Sequence, residues 1–227
     1  MNTAALAAGY RLIAQLLLHP DDRDGATVAS PGLDLDPAVG DSIEEFLADA
    51  SCGSRDEYVQ TLELSPPCPL YLGAYLFDEP TSCRGAGTSG RNAYMLELSG
   101  LYRHFGFEIT GGELPDYLPA LVDFLWLSLE HQDRDTIGLR RRLLQHYVLP
   151  ALGPLSEALE KYHSPYVLLV RALAKIVVQD LQQMGDGPVW KPPPDESGSV
   201  ASLHVLTETD DKTRIGRMLM EQMEVRP

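Results

Sequence analysis

Two acidic side chains, Glu113 and Asp116, lie three residues apart in a proline-rich segment and could form a carboxylate pair for general acid–base chemistry. No base or nucleophile in the sequence stands out as their partner. The six histidines are scattered, none pairs with another at helical ligand spacing, and the three cysteines form no C-x-x-C pair. The sequence therefore predicts no catalytic residue and no metal site.

A glycine-rich segment, residues 78–90, could contact a phosphate group through its backbone N–H groups. Arg84 lies within this segment and Arg91 follows it, so two guanidinium groups accompany the glycines. The strand–helix frame of a phosphate-binding loop is missing. A helical nucleotide-binding protein or small enzyme that uses residues 84–91 stays open as an alternative, and the composition predicts a mobile loop.

An aromatic cluster precedes this loop and consists of Tyr71, Tyr75 and Phe77. Such a surface could seat an apolar peptide helix, and nearby acidic groups could meet basic residues that flank it. The alternative is that the three rings belong to an ordinary hydrophobic core.

The proline-flanked segment that holds Glu113 and Asp116 reads as the entrance of a helix. Asp116 is the predicted N-cap, Pro115 fixes the backbone before it, and Pro119 falls at the third helical position, where a missing N–H breaks no intrahelical bond. Tyr117 lies between cap and proline. Apolar residues then follow at spacings of three and four, which predicts one continuous apolar face: Leu118, Leu121, Val122, Leu125 and Leu129.

The formal net charge of −15, from 33 acidic and 18 basic residues, argues against nucleic acid and anionic membranes as partners. It favours a basic partner through long-range attraction. No apolar run reaches the ~18–20 residues that a membrane span needs. The N-terminal segment lacks the basic region of a signal peptide, so we expect no stable membrane insertion.

Helical periodicity recurs through the chain, and no convincing strand alternation accompanies it. We predict an all-α single-domain bundle over residues 1–184, in which Ser164 caps the last helix and Arg140, Arg141 and Arg142 lie at a helix edge. Residues 185–227 form a proline-rich linker and a weakly ordered tail, with a loose helix over 211–223. Besides the helix that follows Asp116, the predicted helices of the bundle cover residues 3–18, 37–50, 54–64, 70–77, 92–105, 134–148, 154–162 and 165–184.

Three blocks of sequence carry a resemblance to a known family. They are residues 10–21, residues 84–107 with their Met95-Leu96-Glu97-Leu98 core, and the most specific block, Glu113-Leu114-Pro115-Asp116-Tyr117-Leu118-Pro119. In this order and spacing the chain resembles the nitrate reductase delta-subunit (NarJ-like) branch of the TorD/DmsD chaperones, which mature molybdenum redox enzymes.

The resemblance implies a cytoplasmic, all-helical protein that is not an enzyme. Its partner would be the apo catalytic subunit of a molybdenum oxidoreductase, bound at its N-terminal segment, often a twin-arginine signal peptide. The chaperone would hold the subunit until molybdopterin guanine dinucleotide is inserted, before assembly or export. Residues 65–71 look more like chaperones of dimethyl sulfide, ethylbenzene or selenate enzymes than of nitrate reductase.

The resemblance also implies no permanently bound cofactor, and it allows a transient contact with molybdopterin guanine dinucleotide. The protein would be a monomer or a dimer. Asp116 matches the family's functional acid, whereas Tyr117 stands where a histidine often follows. An unrelated helical scaffold stays open as a further alternative. The residues predicted to bind the client are Tyr71, Tyr75, Phe77, Arg84, Arg91, Glu113, Pro115, Asp116, Tyr117 and Pro119.

Overall fold

The computed structural model describes residues 2–29, 35–49, 54–64, 66–77, 90–110, 112–135 and 137–191. Over these ranges the regular secondary structure is helical, apart from one isolated antiparallel bridge between Tyr71 and Tyr117. The predicted all-α class is therefore confirmed. The chain divides into two compact units, 1–191 and 192–227. The second unit lies outside the described residues, as do Arg84, most of the predicted glycine-rich loop and the predicted helix over 211–223.

The described residues form ten α-helical segments, two short 3₁₀ turns and two π turns. In chain order these are α1 (Thr3–Leu16), a 3₁₀ turn (Pro20–Asp22), α2 (Gly25–Val28), α3 (Pro37–Ala48), α4 (Arg55–Tyr58) with a π turn (Val59–Glu63), α5 (Gly73–Leu76), α6 (Gly90–His104), α7 (Leu118–Glu130), a 3₁₀ turn (Gln132–Arg134), α8 (Leu139–Leu143) with a π turn (Leu144–Val148), α9 (Leu149–Lys161) and α10 (Tyr166–Met184).

The core forms where α1 packs against α7 and where α10 packs against α3 and α9. The predicted apolar face of α7 is confirmed, because Leu118, Leu121, Val122, Leu125 and Leu129 are all buried. Leu6, Tyr10, Ile13 and Leu17 are buried on and just after α1. The last helix, α10, is central to the core, because its apolar residues Leu169, Val170, Leu173, Ile176 and Val177 are all fully buried. No helix in the described ranges is long and apolar enough to cross a membrane.

The helix predicted over 70–77 is shorter than expected, since only Gly73–Leu76 is helical. The backbone before it pairs with another segment instead. The Leu72 N–H donates to the Asp116 carbonyl at 3.0 Å, and the Leu118 N–H donates to the Leu70 carbonyl at 2.7 Å. Backbone groups engaged in this way cannot form helical bonds.

Two later helices, α8 and α9, begin at other residues than predicted. The helix expected from residue 134 starts at Leu139, because the Asp135 carboxylate accepts from the Leu139 and Arg140 N–H groups at 2.7 and 3.1 Å. The helix expected from Pro154 starts at Leu149 instead. Pro154 lies inside it, and its ring costs that helix one backbone hydrogen bond.

The predicted capping role of Ser164 is wrong. The last helix begins at Tyr166, and no side chain caps it. The Ser164 hydroxyl instead donates to Glu57 at 2.9 Å, which ties the start of α10 to α4. Ser164 contacts the first turn of the helix through its backbone carbonyl, which accepts a hydrogen bond from the Val167 N–H at 3.2 Å.

Two of the three arginines expected at a helix edge are also placed differently. Arg140 and Arg141 are buried, with 3% and 7% exposure. Arg140 donates to both carboxylate oxygens of Asp180, and its Nε donates to the Ser128 hydroxyl at 2.9 Å. The Tyr10 hydroxyl donates to the same carboxylate at 2.7 Å. A buried polar cluster thus joins α1, α7, α8 and α10, which hydrophobic periodicity could not show.

Residues 185–191 lie against this helical body. The Arg141 guanidinium donates to the Gly185 carbonyl, and the Trp190 N–H donates to the Gly138 carbonyl at 3.4 Å. The Trp190 ring packs against Arg142, whose guanidinium carbon lies 5.3 Å from the ring centroid. The segment after α10 is therefore anchored at α8 by backbone and cation–π contacts.

Candidate functional site

The candidate site is built where two non-helical segments, residues 70–72 and 115–117, run antiparallel. The Tyr71–Tyr117 bridge and its two flanking backbone hydrogen bonds hold the segments together. α5 starts directly after the first segment and α7 directly after the second. The sequence between Leu114 and Pro119 thus positions the entrance of α7 against the start of α5.

Asp116 is fully buried between these segments. Its Oδ2 accepts a hydrogen bond from the Gly73 N–H at 2.8 Å and lies 3.9 Å from an Arg91 guanidinium nitrogen. Its Oδ1 has no hydrogen-bond partner among the described residues. Burial raises the pKa of the Asp116 carboxyl, and the Gly73 bond and the Arg91 charge oppose that rise.

The predicted N-cap role of Asp116 is therefore wrong. α7 begins at Leu118, its N-cap residue is Tyr117, and no side chain caps it. Pro119 consequently lies at the second helical position instead of the third, where its missing N–H is still harmless. The Asp116 carboxylate joins two segments of the chain and does not serve the helix that follows it.

Tyr71, Tyr117 and Glu113 meet at the surface beside this buried carboxylate. The Tyr71 hydroxyl donates to Glu113 Oε2 at 2.7 Å, and the two tyrosine rings lie 5.4 Å apart. Burial and the Glu113 hydrogen bond raise the pKa of Tyr71 to about 12. Pro115 is held by α6, because the Tyr102 hydroxyl donates a hydrogen bond to its carbonyl at 2.7 Å. The predicted residues around position 116 thus form one contiguous group.

A groove of about 280 Å³ adjoins this group, and we call it the α1–α7 groove. Its walls are the end of α1, one face of α7 and the extended segment Phe107–Thr110. The lining is predominantly apolar, with three carboxylates among it. The lining residues are Ala14, Gln15, Leu18, Tyr102, Phe107, Glu108, Ile109, Thr110, Glu113, Tyr117, Pro119, Ala120, Asp123, Phe124 and Leu127.

Three predicted site residues, Glu113, Tyr117 and Pro119, line the α1–α7 groove, whereas Tyr75 and Phe77 do not. Phe77 packs on Tyr94 with ring centroids 5.2 Å apart. Tyr75 is half-buried, and its hydroxyl has no partner in the described part of the chain. The proline-flanked motif therefore forms part of the groove, whereas Tyr75 and Phe77 of the predicted aromatic cluster lie outside it.

Sequence reasoning missed the groove wall on α7. Ala120, Asp123, Phe124 and Leu127 follow one another at helical spacing and all line the groove. The acid within that otherwise apolar row was the available clue, since a carboxylate on an apolar helix face needs an explanation. Burial raises the pKa of the Asp123 carboxyl, and the charge of Arg11 opposes the rise.

No group of His, Cys, Asp or Glu side chains in the described ranges could hold a metal ion. The geometry defines a class: an all-helical protein with an apolar, acid-bordered groove beside a tightly braced helix entrance. The nitrate reductase delta subunit model matches residues 34–167. The chain belongs to the nitrate reductase delta subunit family, which confirms the resemblance found in its sequence.

Individual relatives agree with this assignment. The chain is 27% identical over 198 residues to the selenate reductase assembly chaperone protein of Thauera selenatis, covering 82% of this chain and 92% of the relative. It is 25% identical over 201 residues to the chlorate reductase assembly chaperone protein of Ideonella dechloratans, covering 82% and 93%. It is also 25% identical to the nitrate reductase-like protein NarX of Mycobacterium tuberculosis, over 73% of this chain and 24% of that protein.

Proposed function

We propose that this protein is a cytoplasmic assembly chaperone, without catalytic activity, for the catalytic subunit of a molybdenum oxidoreductase. It binds the N-terminal or signal segment of the apo subunit and holds it while molybdopterin guanine dinucleotide is inserted, before assembly or twin-arginine export. Two relatives that align over nearly their whole length are named as assembly chaperones of selenate and chlorate reductase. These names support the proposal that the client of this protein is also the catalytic subunit of a reductase.

The observation that carries the proposal is the chemistry of the α1–α7 groove. Leu18, Phe124 and Leu127 offer an apolar floor, and Glu108 and Asp123 add negative charge to the same groove. A signal segment has a basic part followed by an apolar part. The groove therefore complements both parts, by burial of the apolar residues and by attraction of the basic ones.

The strength of such binding follows from the area that the client buries. At ~25 cal/mol per Å², burial of ~600 Å² of an apolar segment contributes on the order of 15 kcal/mol of favourable binding free energy. Ordering of the peptide and loss of its free motion offset most of this gain. Micromolar to nanomolar dissociation constants follow, which suits a chaperone that must release its client.

Calorimetry with a synthetic peptide of the client's N-terminal segment tests the proposal. The Ala120→Trp variant fills the groove from its α7 wall, and Ala48→Trp, at an exposed position on α3, is the matched control. We expect saturable binding that Ala120→Trp weakens by at least about tenfold, because the apolar floor is blocked. The Ala48→Trp variant should bind like the unmodified protein. Equal binding by both variants would contradict the location of the site, and no binding to the peptide or to the apo subunit would contradict the function.

Retention of the client until cofactor insertion needs its own test. In a strain that lacks this protein, we expect the catalytic subunit to accumulate with little molybdenum and little pterin, measured on the purified subunit. Full occupancy of every molybdenum oxidoreductase in that strain would contradict a role in cofactor insertion.

A further inference from the structure

A second cavity, of about 200 Å³, lies next to the α1–α7 groove, and we call it the α6 cavity. Ser99, Tyr102 and Arg103 of α6 form part of its wall, as does Pro115. Tyr102 also lines the groove, so this buried side chain borders both spaces. The α6 cavity and the groove are therefore direct neighbours.

The extended segment 107–110 is the partition between these two spaces. Phe107, Glu108 and Ile109 line the groove and also line the α6 cavity. The other walls of the groove, the end of α1 and one face of α7, are helical. The groove thus has two rigid walls and one wall that lacks regular secondary structure.

This partition is attached firmly at one end only. The Phe107 N–H donates to the Tyr102 carbonyl at 2.8 Å, and the Phe107 ring packs on Phe124 with centroids 6.0 Å apart. The backbone groups of residues 108–110 form no hydrogen bond with any residue that the structure describes. Gly112, near the other end, has φ +80°, and glycine populates positive and negative φ about equally. Displacement of residues 108–110 therefore breaks no backbone hydrogen bond.

The groove is too small to hold a long client segment by itself. Five residues of helix form a cylinder ~7.5 Å long and ~10 Å across, which occupies roughly 600 Å³. The buried half of that cylinder already fills the groove, which offers about 280 Å³. A longer segment must continue beyond the groove, and the α6 cavity is the adjoining space.

The α6 cavity differs in chemistry from the apolar floor of the groove. The exposed guanidinium of Arg103 supplies hydrogen-bond donors, and the exposed carboxylate of Glu108 supplies acceptors. The Ser99 hydroxyl donates to the Met95 carbonyl at 2.9 Å and can still accept a hydrogen bond. Polar residues of a client thus find partners here that the apolar floor does not offer.

We propose that the client-binding site has a second part, the α6 cavity, which the client reaches across residues 108–110. The client's apolar segment lies in the groove, and the polar residues next to that segment lie in the α6 cavity. Ser99 therefore contacts the client although it does not line the groove. This inference rests on the proposed function, because it extends the site that the client occupies there.

Calorimetry with the client's N-terminal peptide tests the second part of the site. Ser99→Trp fills the α6 cavity from a position outside the groove lining, and Ala93→Trp, at an exposed position on the same helix outside both linings, is the matched control. We expect Ser99→Trp to weaken binding by at least about fivefold, because the cavity is filled, and Ala93→Trp to leave binding unchanged. A shorter peptide that keeps only the apolar run should bind Ser99→Trp and the unmodified protein equally.

Photo-cross-linking tests the contact itself. A benzophenone amino acid replaces Ser99, Ala120 or Ala93 in the full-length protein, which is then irradiated with the full peptide. We expect peptide adducts from positions 99 and 120 and none from position 93.

Two results would overturn this inference and leave the proposed function standing. One is adducts from position 120 without adducts from position 99, and the other is equal affinity of Ser99→Trp and the unmodified protein for the full peptide. Absence of adducts from all three positions, together with absence of binding to the unmodified protein, would overturn both the inference and the proposed function.

Discussion

The Asp116 Oδ2 accepts the Gly73 backbone N–H at 2.8 Å across 43 residues of chain. This bond, with the backbone bonds on either side of it, joins the start of α5 to the entrance of α7. A carboxylate that is fully buried and bonded to a backbone amide is poorly placed to contact a client directly. Asp116 therefore braces the backbone that carries Tyr71 and Tyr117, and Tyr117 lines the groove.

The close approach at Gly73 leads to the first prediction. A Cβ at this position would lie 2.6 Å from Asp116 Oδ2 and 3.1 Å from Arg91 Nε, so Gly73→Ala must displace the carboxylate or the backbone. We expect a loss of about 1–3 kcal/mol in the free energy of unfolding, because the hydrogen bond of a buried acid is broken. Urea denaturation measures it.

Gly100→Ala provides the control for that substitution. Gly100 lies within α6, and a Cβ there would have nothing within 4 Å. Alanine should therefore stabilise the protein, by about 0.5–1 kcal/mol from helix propensity alone. A Gly73→Ala protein as stable as the Gly100→Ala protein would show that the Asp116 contact contributes little.

The raised pKa of Asp116 makes its effect on stability depend on pH. The folded protein holds this proton more tightly than the unfolded chain, so ionisation of Asp116 destabilises the fold as pH rises from the ordinary carboxyl range through the raised folded value. Asp116→Asn keeps an acceptor for Gly73 and cannot ionise. The free energy of unfolding of Asp116→Asn minus that of the unmodified protein should therefore increase with pH across this window and then level off. Denaturation at a series of pH values measures this difference. A difference that decreases as pH rises would show that the charge of Arg91 outweighs burial and lowers the pKa of Asp116.

The proline-flanked motif shows what the sequence could and could not reveal. The residue types around Asp116 correctly indicated a helix entrance with polar groups, because proline and acidic residues favour the first turn of a helix. They could not show that the carboxylate bonds to Gly73, which is distant in sequence. Local patterns predict local hydrogen bonds, and the long-range partner here had no spacing that would reveal it.

The same limit explains the three consecutive arginines at 140–142. Charged residues on a helix normally face solvent, so the sequence placed them at an edge. Their positions depend on partners from other helices: Asp180 pairs with the buried Arg140, and Glu97 pairs with the partly buried Arg142. By contrast, the buried face of α7 follows from apolar spacing alone and was predicted correctly, since hydrophobic burial needs no specific partner.

The buried pair of Arg140 and Asp180 leads to a stability prediction. Burial alone would lower the pKa of Arg140, but the hydrogen bond and charge of Asp180 outweigh this effect and the net pKa shift is upward, so Arg140 is charged in the folded protein. Asp180→Leu leaves an uncompensated buried guanidinium and should cost about 3–5 kcal/mol. Thermal or urea denaturation measures the loss.

A compensated variant separates the charge from the packing. Combining Asp180→Leu with Arg140→Met and Tyr10→Phe removes the guanidinium and the hydroxyl that would otherwise lose their acceptor. We expect this triple variant to recover most of the stability lost in Asp180→Leu, because no buried charge remains unpaired. A triple variant less stable than Asp180→Leu would instead assign the cluster a specific packing role.

The segment after α10 gives the last prediction, which concerns where the helical body ends. Trp190 packs on Arg142, and Arg142 also donates to Glu97 and lies over the Tyr147 ring, which itself packs on Tyr94. Loss of Trp190 would therefore expose Arg142 and weaken its contacts to α6. A chain that ends at Met184 should be less stable than one that ends at Lys191, by about 1–2 kcal/mol for the lost cation–π and backbone contacts. The Trp190→Ala substitution in the full chain should reproduce about half of this loss. Equal unfolding midpoints for the two shortened chains would mean that the stable body ends with α10.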